Sequence, residues 1–348
     1  MTGLRAAMLR HGFAVFLVRR VLLGLLILFA VSLIVFGATQ ALPGDPATAI
    51  LGRTATPERI AALREQLNLD DPLLSQYGQW AGGLLQGDLG ISAAGQEPIS
   101  QLLGQRVLDT LTLVVVAGGI AIPLALLIGV VTAVHRDRAL DNVTSSVTLV
   151  LAALPDFVVG IGLILLLSTS VFTVLPPVSL IDPGSGAWQD PTVLVLPALT
   201  LVISVVPYVS RIMRGSMIEV LESEYVHMAR LKGLSERRVI LRHAMPNAVA
   251  PAIQVSALQI AWLTGGVVIV EYLFQYRGIG TLMVEAVADR DFPVIQAVTL
   301  LVAATYVAVN VVADVATIAT TPKLRTRYGR HPSADVAVAT DDRVLTAG

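Results

Sequence analysis

Six long apolar stretches constrain the fold of this chain more than any other feature. A helix needs about 20 apolar residues to cross the ~30 Å hydrocarbon core of a bilayer. Only 14% of the residues are charged, against roughly 25% in soluble domains. We therefore predict an all-α integral membrane protein with six transmembrane helices, at about residues 14–41, 107–134, 143–173, 191–210, 248–275 and 294–318.

Two of these stretches need a closer look. Pro197 and Pro207 interrupt the fourth, which makes it the weakest, but prolines are tolerated in spans where neighbouring helices satisfy the carbonyl groups they free. The first stretch could be taken for a secretory signal. It is too long for one and lacks a small-residue cleavage site, so we expect it to be retained.

Basic residues set the orientation. Placing both termini in the cytoplasm puts 18 of the 24 Lys and Arg residues there and six outside, in agreement with the positive-inside rule. The expected organisation is then, in chain order, a cytoplasmic N-terminus (1–13), a six-span domain (14–318) with an extracytoplasmic segment (42–106) and a cytoplasmic loop (211–247), and a cytoplasmic tail (319–348) that is disordered after about residue 330.

The extracytoplasmic segment contains two amphipathic patterns. "TPERIAALREQL" predicts a short helix with Thr56 as its cap and Pro57 in its first turn. Farther on, Tyr77 and Trp80 are suited to a membrane interface. Two interpretations stay open for this segment, a lid or packing element and a docking site for an extracytoplasmic partner.

The cytoplasmic loop includes "ARLKGLSERRVILRHAMPN", residues 229–247, which has the spacing of a helix-turn-helix. Gly233 is a natural stop for the first helix, since glycine enters the left-handed conformation without strain. Ser235 can cap a second helix, and Pro246 ends or bends it. One helical face before the glycine is predicted to hold Ile218, Leu221, Tyr225, Met228 and Lys232.

Nucleic acid is a poor partner for this loop. Membrane spans lie close on both sides, and the net charge of −1 provides no global basic field. A DNA duplex would also have to approach an anionic lipid surface. A soluble protein partner at the membrane surface explains the loop better.

The loop resembles the "EAA" loop of bacterial ABC-importer permeases, which runs E-A-A, three residues, G, nine residues, then I-x-L-P. Here Glu224-Tyr225-Val226 stands at the start, Ala229 is the small residue before Gly233, and Pro246 follows at the matching distance. Tyr-Val replaces Ala-Ala. Peptide-importer permeases often read "EYVxxARxKGLSxRxVxxRHAxxN", a form that includes Arg230 and Ser235.

The resemblance extends over most of residues 14–328. "FLVRRVLLGLLILFAVSLIVFGATQALPGDPA" and "VIVEYLFQYRGIGTLMVEAVADRDFPVIQA" are similar to segments of the dipeptide/oligopeptide B-type permeases, whereas Thr321 replaces a usual Asp. The family implies a type I ABC-importer permease fold in the bacterial inner membrane. It also implies a second homologous permease as heterodimer partner, two cytoplasmic ATPase domains that bind ATP and Mg, and an extracytoplasmic substrate-binding protein.

The chain itself offers no cofactor site or catalytic set. Gly278-Ile279-Gly280 lacks the preceding strand and lysine of a nucleotide loop, so we expect a re-entrant turn there. Cysteine is absent, and all five histidines fall in predicted cytoplasmic segments, where none can activate an outer serine or line a metal path. The family implies peptides as cargo, with nickel, haem or glutathione as alternatives.

An ion-coupled secondary transporter is the alternative of another class. It would require buried ionisable residues in repeat-related spans, and the candidates are Asp156, Glu271 and Asp314. Pro155-Asp156 would lie about 20 Å along a straight third span, near the midplane. Asp156 is then either a structural hydrogen-bonding group or a path residue that attracts the ammonium group of a passing peptide.

The orientation can be checked with reporter fusions. We expect fusions at Gly87 and Ser185 to report an extracytoplasmic location, and fusions at Asp137, Ser235 and Arg330 a cytoplasmic one, because of the distribution of basic residues. A cytoplasmic signal at Gly87 would contradict the count of six spans.

Overall fold

The computed structural model describes residues 2–41, 46–51, 55–66, 69–182 and 184–320. Most of the "LPGDP" sequence and the predicted tail from residue 321 onward lie outside these ranges. Four helices are long and apolar enough to cross a bilayer, and two bent pairs bring the number of spans to as many as six. The α-helices are α1 (Thr2–Ala41), α2 (Pro46–Leu51), α3 (Pro57–Gln66), α4 (Leu73–Leu85), α5 (Ile99–Val134), α6 (Ala139–Ala153), α7 (Asp156–Ile164), α8 (Thr192–Leu221), α9 (Glu224–Leu231), α10 (Glu236–Arg238), α11 (Met245–Phe274), α12 (Ile279–Ala288) and α13 (Phe292–Thr320).

The third predicted span is broken into α6 and α7, which meet at an angle of 105°. Leu154 adopts extended dihedral angles (φ −83°, ψ 133°) before Pro155, because the proline ring disfavours helical geometry at the preceding residue. The Tyr208 hydroxyl on α8 donates to the carbonyl oxygen of Ala152 at 3.2 Å and so satisfies a group near the break. The expectation of one straight helix over 143–173 is wrong, and with it the depth derived for Asp156.

Helix α8 forms the centre of the bundle. In the apolar 18-residue stretch that identifies α8 as a span, 72% is buried inside the protein. The corresponding share is 22–28% in the other three unbroken spans. It remains helical through Pro197 and Pro207 and continues past the predicted end at 210 to Leu221. The stretch that was weakest by sequence is therefore the most buried span, and its neighbours are protein rather than lipid.

Small residues let helices approach one another closely. A Cβ atom at Gly129 of α5 would lie 2.7 Å from the Ser210 carbonyl oxygen and 2.6 Å from Cβ of Met213, both on α8. Helix α1 packs mainly against α13. An ion pair between Arg20 and Asp314 joins these two helices.

The segment between α1 and α5 contains the predicted Thr56 cap and a helix, α4, that packs on α1. The main chain N–H of Arg59 donates to Thr56 Oγ1 at 3.4 Å, and α3 begins at Pro57, which confirms the predicted cap. On α4, Tyr77 and Trp80 lie with ring centroids 5.4 and 5.7 Å from that of Phe36 on α1. These contacts favour the packing interpretation of the segment.

Glu271 fastens α12 to the bundle. Its fully buried carboxylate accepts hydrogen bonds from Thr110 Oγ1 (2.6 Å) and from the main chain N–H groups of Gly280 (2.7 Å) and Thr281 (3.3 Å). The carboxylate thus caps the N-terminus of α12, where unpaired N–H groups attract negative charge. A Cβ atom at Gly278 would overlap this carboxylate.

A second buried carboxylate, Asp109, fixes the loop before α8. Arg277 binds Asp109 Oδ2 through Nε (3.0 Å) and Nη2 (2.9 Å) and donates to the Ser185 carbonyl oxygen at 2.6 Å. The main chain N–H of Ala187 donates to Asp109 Oδ1 at 3.0 Å. Burial raises the pKa of the Tyr276 phenol, which donates to the Asp109 carbonyl oxygen at 2.6 Å.

The Glu271 site predicts a position-specific effect on stability. We expect Gly278→Ala to lower the free energy of unfolding by about 1–3 kcal/mol, because the new methyl group displaces the carboxylate from buried donors. Gly215→Ala on α8 is the matched control, since no atom lies within 4 Å of the added Cβ. Thermal denaturation in detergent measures both, and equal midpoints for the two variants would contradict this assignment.

Candidate functional site

The helix that enters the cytoplasmic loop ends at Leu221, and α9 begins at Glu224. Between them Ser223 is extended (φ −72°, ψ 148°), and its Oγ donates to the Val220 carbonyl oxygen at 2.5 Å. The prediction of one helical face across 218–232 is therefore wrong. Its first two members lie on α8, and the others lie on α9 and its C-cap.

One face of α9 is buried against the bundle. Val226 is 0% exposed and Ala229 is 7% exposed, and they pack in a cluster with Met213 and Met217 of α8. The small side chain at Ala229 lets α9 lie close to the inner end of α8. The buried face of α9 is therefore in direct contact with the central helix.

The opposite face of α9 is apolar and exposed. Tyr225, Met228 and Leu231 are 46%, 52% and 68% exposed, and their spacing of three residues places them on one side of the helix. Glu224 is exposed in the first turn, where its charge suits the helix N-terminus. Lys232 is exposed at the C-cap. An exposed apolar surface of this kind is typical of interaction sites.

The turn after α9 has the predicted geometry. Gly233 has φ +78°, and its N–H donates to the Arg230 carbonyl oxygen at 2.9 Å. The N–H of Leu234 donates to the Ala229 carbonyl oxygen at 3.4 Å. No atom lies within 4 Å of a Cβ built at Gly233, so backbone conformation rather than space requires glycine here.

Arg230 holds the loop together. Its Nε donates to Glu236 Oε1 at 2.7 Å, and its Nη1 donates to the Leu221 carbonyl oxygen at 3.3 Å. The side chain therefore links α9 to α10 and to the end of α8. Ser235 occupies the N-cap position of α10, but its side chain makes no capping hydrogen bond.

Pro246 does not end the second helix. A π-helical segment, Val239–Ala244, follows α10, and Pro246 lies in the first turn of α11. Proline suits this position because the first N–H groups of a helix have no intrahelical partner. The wider π turn lets the chain pass into the fifth span without a break.

Two ion pairs join the loop region to the preceding cytoplasmic loop. Arg214 on α8 binds Asp141 through Nε (2.7 Å) and Nη2 (2.6 Å), and the Asp141 side chain is 1% exposed. The N–H of Asp137 donates to the same carboxylate at 3.0 Å. Arg136 pairs with Glu222 at the C-cap of α8. The inner end of α8 is thus tied to the start of α6.

Asp156 and Pro155 belong to a separate region, the break in the third span. Pro155 is the N-cap residue of α7, and Asp156 is half-buried in its first turn. No hydrogen bond joins the Asp156 carboxylate to another described residue. Its negative charge is favoured by the helix N-terminus, which explains how a carboxylate is tolerated there.

Sequence reasoning missed the residues that fix both ends of the bundle. Arg214 was counted only among the basic residues, and Asp109, Asp141 and Asp291 were not singled out. Asp291 accepts hydrogen bonds from the N–H groups of Ala93 (3.0 Å) and Val294 (3.3 Å). An aspartate at the edge of an apolar stretch is a weak signal, because most of its partners are distant in sequence.

Comparison with known proteins gives consistent matches along the chain. Residues 125–326 match the model of the family described as "Binding-protein-dependent transport system inner membrane component", and residues 13–114 match that of its N-terminal region. The glutathione transport system permease proteins GsiC of Escherichia coli CFT073 and Shigella flexneri serotype 5b are each 36% identical over 305 residues. The GsiC protein of Salmonella choleraesuis is 37% identical. These alignments cover 87% of this chain and 97% of each relative.

Proposed function

The chain belongs to the family of binding-protein-dependent transport system inner membrane components and is an ABC-importer permease subunit of the peptide type, and from that premise we propose that its cargo is a short peptide. A second homologous permease completes the translocation path. Two cytoplasmic ATPase domains bind ATP and Mg, and an extracytoplasmic binding protein delivers the peptide. We propose that ATP hydrolysis takes place in these partner domains.

The relatives support the cargo. They are named as permeases of a glutathione transport system, and glutathione is a tripeptide. The peptide-permease pattern around Tyr225-Val226 and Ala229-Arg230 agrees with this class. The alternatives within the family are glutathione itself, haem and nickel.

We propose that this loop couples the permease to an ATPase subunit, because α9 presents an exposed apolar face. Burying a large apolar side chain stabilises a contact by roughly 1.5–3 kcal/mol, so the three exposed side chains of α9 can anchor it in a groove. The buried face of α9 packs on Met213 and Met217. A displacement of the ATPase subunit would thus reach α8.

From α8 the displacement reaches the broken span. The Arg214–Asp141 pair links α8 to α6 by two hydrogen bonds, and α6 leads to the break before Asp156. Arg230 contributes by fixing the angle between α9 and the end of α8. We assign Glu224, Gly233, Ser235 and Pro246 to the shape of the same loop.

Gly233 gives a test of coupling. A β-branched residue in the left-handed region costs about 1 kcal/mol or more and changes the angle of α9. In vesicles containing the full importer, we expect Gly233→Val to retain ATP hydrolysis but lose most uptake of a tripeptide. Gly233→Asn is the matched control, because asparagine tolerates this conformation.

Normal uptake by Gly233→Val would argue against the coupling role. The wild-type importer should take up the peptide only while ATP is hydrolysed. Uptake driven by a proton gradient with hydrolysis blocked would instead identify an ion-coupled secondary transporter.

We further propose that Asp156 lines the path and attracts the ammonium group of a passing peptide. The side chain is half-buried, lies at a break in a span and makes no hydrogen bond to another described residue. Unpaired carboxylates inside membranes generally face a partner or a wet cavity. The competing hypothesis is a structural contact with the second permease.

Asp156→Asn separates these two roles, since it keeps the size of the side chain and removes its charge. We expect uptake of peptides with a free N-terminus to fall roughly tenfold, in line with the loss of a charge-assisted hydrogen bond, while uptake of N-acetylated peptides changes little. Purified complexes should assemble normally. An equal loss for both kinds of peptide would favour the structural role.

A further inference from the structure

A pocket of about 710 Å³ is lined by residues of both bent spans and of α12. Phe157 and Ile161 come from α7, after the 105° break. Ile269 and Tyr272 come from the segment Val267–Phe274 of α11, which is bent by 49° from the helix before it. Transporters commonly place their substrate sites beside discontinuous helices.

The walls of this pocket are apolar but exposed. Phe157 is 44% exposed, Ile161 is 43%, Ile269 is 54% and Tyr272 is 58%. An apolar wall with a few convergent polar groups is typical of sites for small organic ligands. The volume is in the range of such sites, which extend from about 300 to 1,000 Å³.

Two opposite charges stand in the same pocket. Nη1 of Arg106 on α5 lies 3.1 Å from Oε2 of Glu285 on α12, and the side chains are 20% and 49% exposed. The other cation of the lining, Arg277, is already bound to the buried carboxylate of Asp109. Arg106 and Glu285 are therefore the charged groups of this pocket that can release each other and bind a ligand instead.

This ion pair is partly exposed to solvent, and ion pairs of exposed side chains contribute little to stability, so it opens at small cost. A peptide with free termini carries the same two charges as this pair, a carboxylate and an ammonium group. An arginine can bind the carboxylate with two parallel hydrogen bonds. The apolar wall then faces the side chains of the peptide.

We infer that this pocket, lined by α5, α7, α11 and α12, is an intermediate binding site, here called the binding stage, for zwitterionic peptides. Arg106 binds the C-terminal carboxylate of the peptide, and Glu285 binds its N-terminal ammonium group. This inference rests on the proposed peptide cargo. The pair closes on itself when the pocket is empty and opens when a peptide enters. Phe157 directly follows Asp156 in the chain, so the proposed path residue is adjacent to the pocket.

Uptake of trialanine, its C-terminal amide and its N-acetyl form tests the assignment in vesicles with the full importer and saturating binding protein. Each variant is compared with wild type on the same peptide, so preferences of the binding protein cancel. We expect Arg106→Gln to lower trialanine uptake roughly tenfold, as expected for a lost hydrogen bond to a charged group, and to leave uptake of the amide unchanged. Glu285→Gln should act in the same way on peptides with a free N-terminus and spare the N-acetyl form.

Arg106→Lys keeps the charge and should restore most trialanine uptake. Arg290→Gln removes an exposed outer arginine that does not line this pocket and should affect no peptide selectively. Size-exclusion chromatography of each complex monitors assembly. A uniform loss for all three peptides, or no loss, would overturn the binding stage and assign the pair to holding α5 on α12. Failure of the wild type to take up any of the peptides would overturn the peptide cargo itself.

Discussion

The burial of α8 among α5, α6, α7 and α11 is the interaction on which the rest of the structure depends. Protein surrounds α8, and the helix continues through both of its prolines. Gly129 lets α5 approach it at Ser210 and Met213. The same helix continues beyond the other spans to Leu221, where the packed face of α9 rests on it.

Buried carboxylates fasten both ends of the bundle. On the extracytoplasmic side, the buried carboxylates of Asp109, Glu271 and Asp291 accept hydrogen bonds from main chain N–H groups, which fixes loops and helix ends in one position. On the cytoplasmic side, arginine pairs such as Arg214–Asp141 join side chains of neighbouring helices. At both ends these contacts hold loops and helix ends against the spans.

The sequence was sufficient for the apolar spans, the Thr56 cap and the Gly233 turn, because each depends on local chemistry. It was not sufficient for the break before Asp156. Prolines at 123, 197, 207 and 251 lie inside continuous helices, whereas Pro155 follows a break. The outcome depends on which neighbours satisfy the freed carbonyl groups, and the Tyr208 hydroxyl that does so at Ala152 is distant in sequence.

The site was predicted in the same uneven way. Ala229 and Gly233 have the expected positions, but the exposed face of α9 depends on where α8 ends, a tertiary property.

Two carboxylates in the spans also bear on the energy source of transport. Glu271 accepts hydrogen bonds from three donors, and Asp314 pairs with Arg20. Both carboxylates therefore have contacts that join helices, as a structural role requires. The exposed apolar face on α9 instead favours energy input from a cytoplasmic partner through α8.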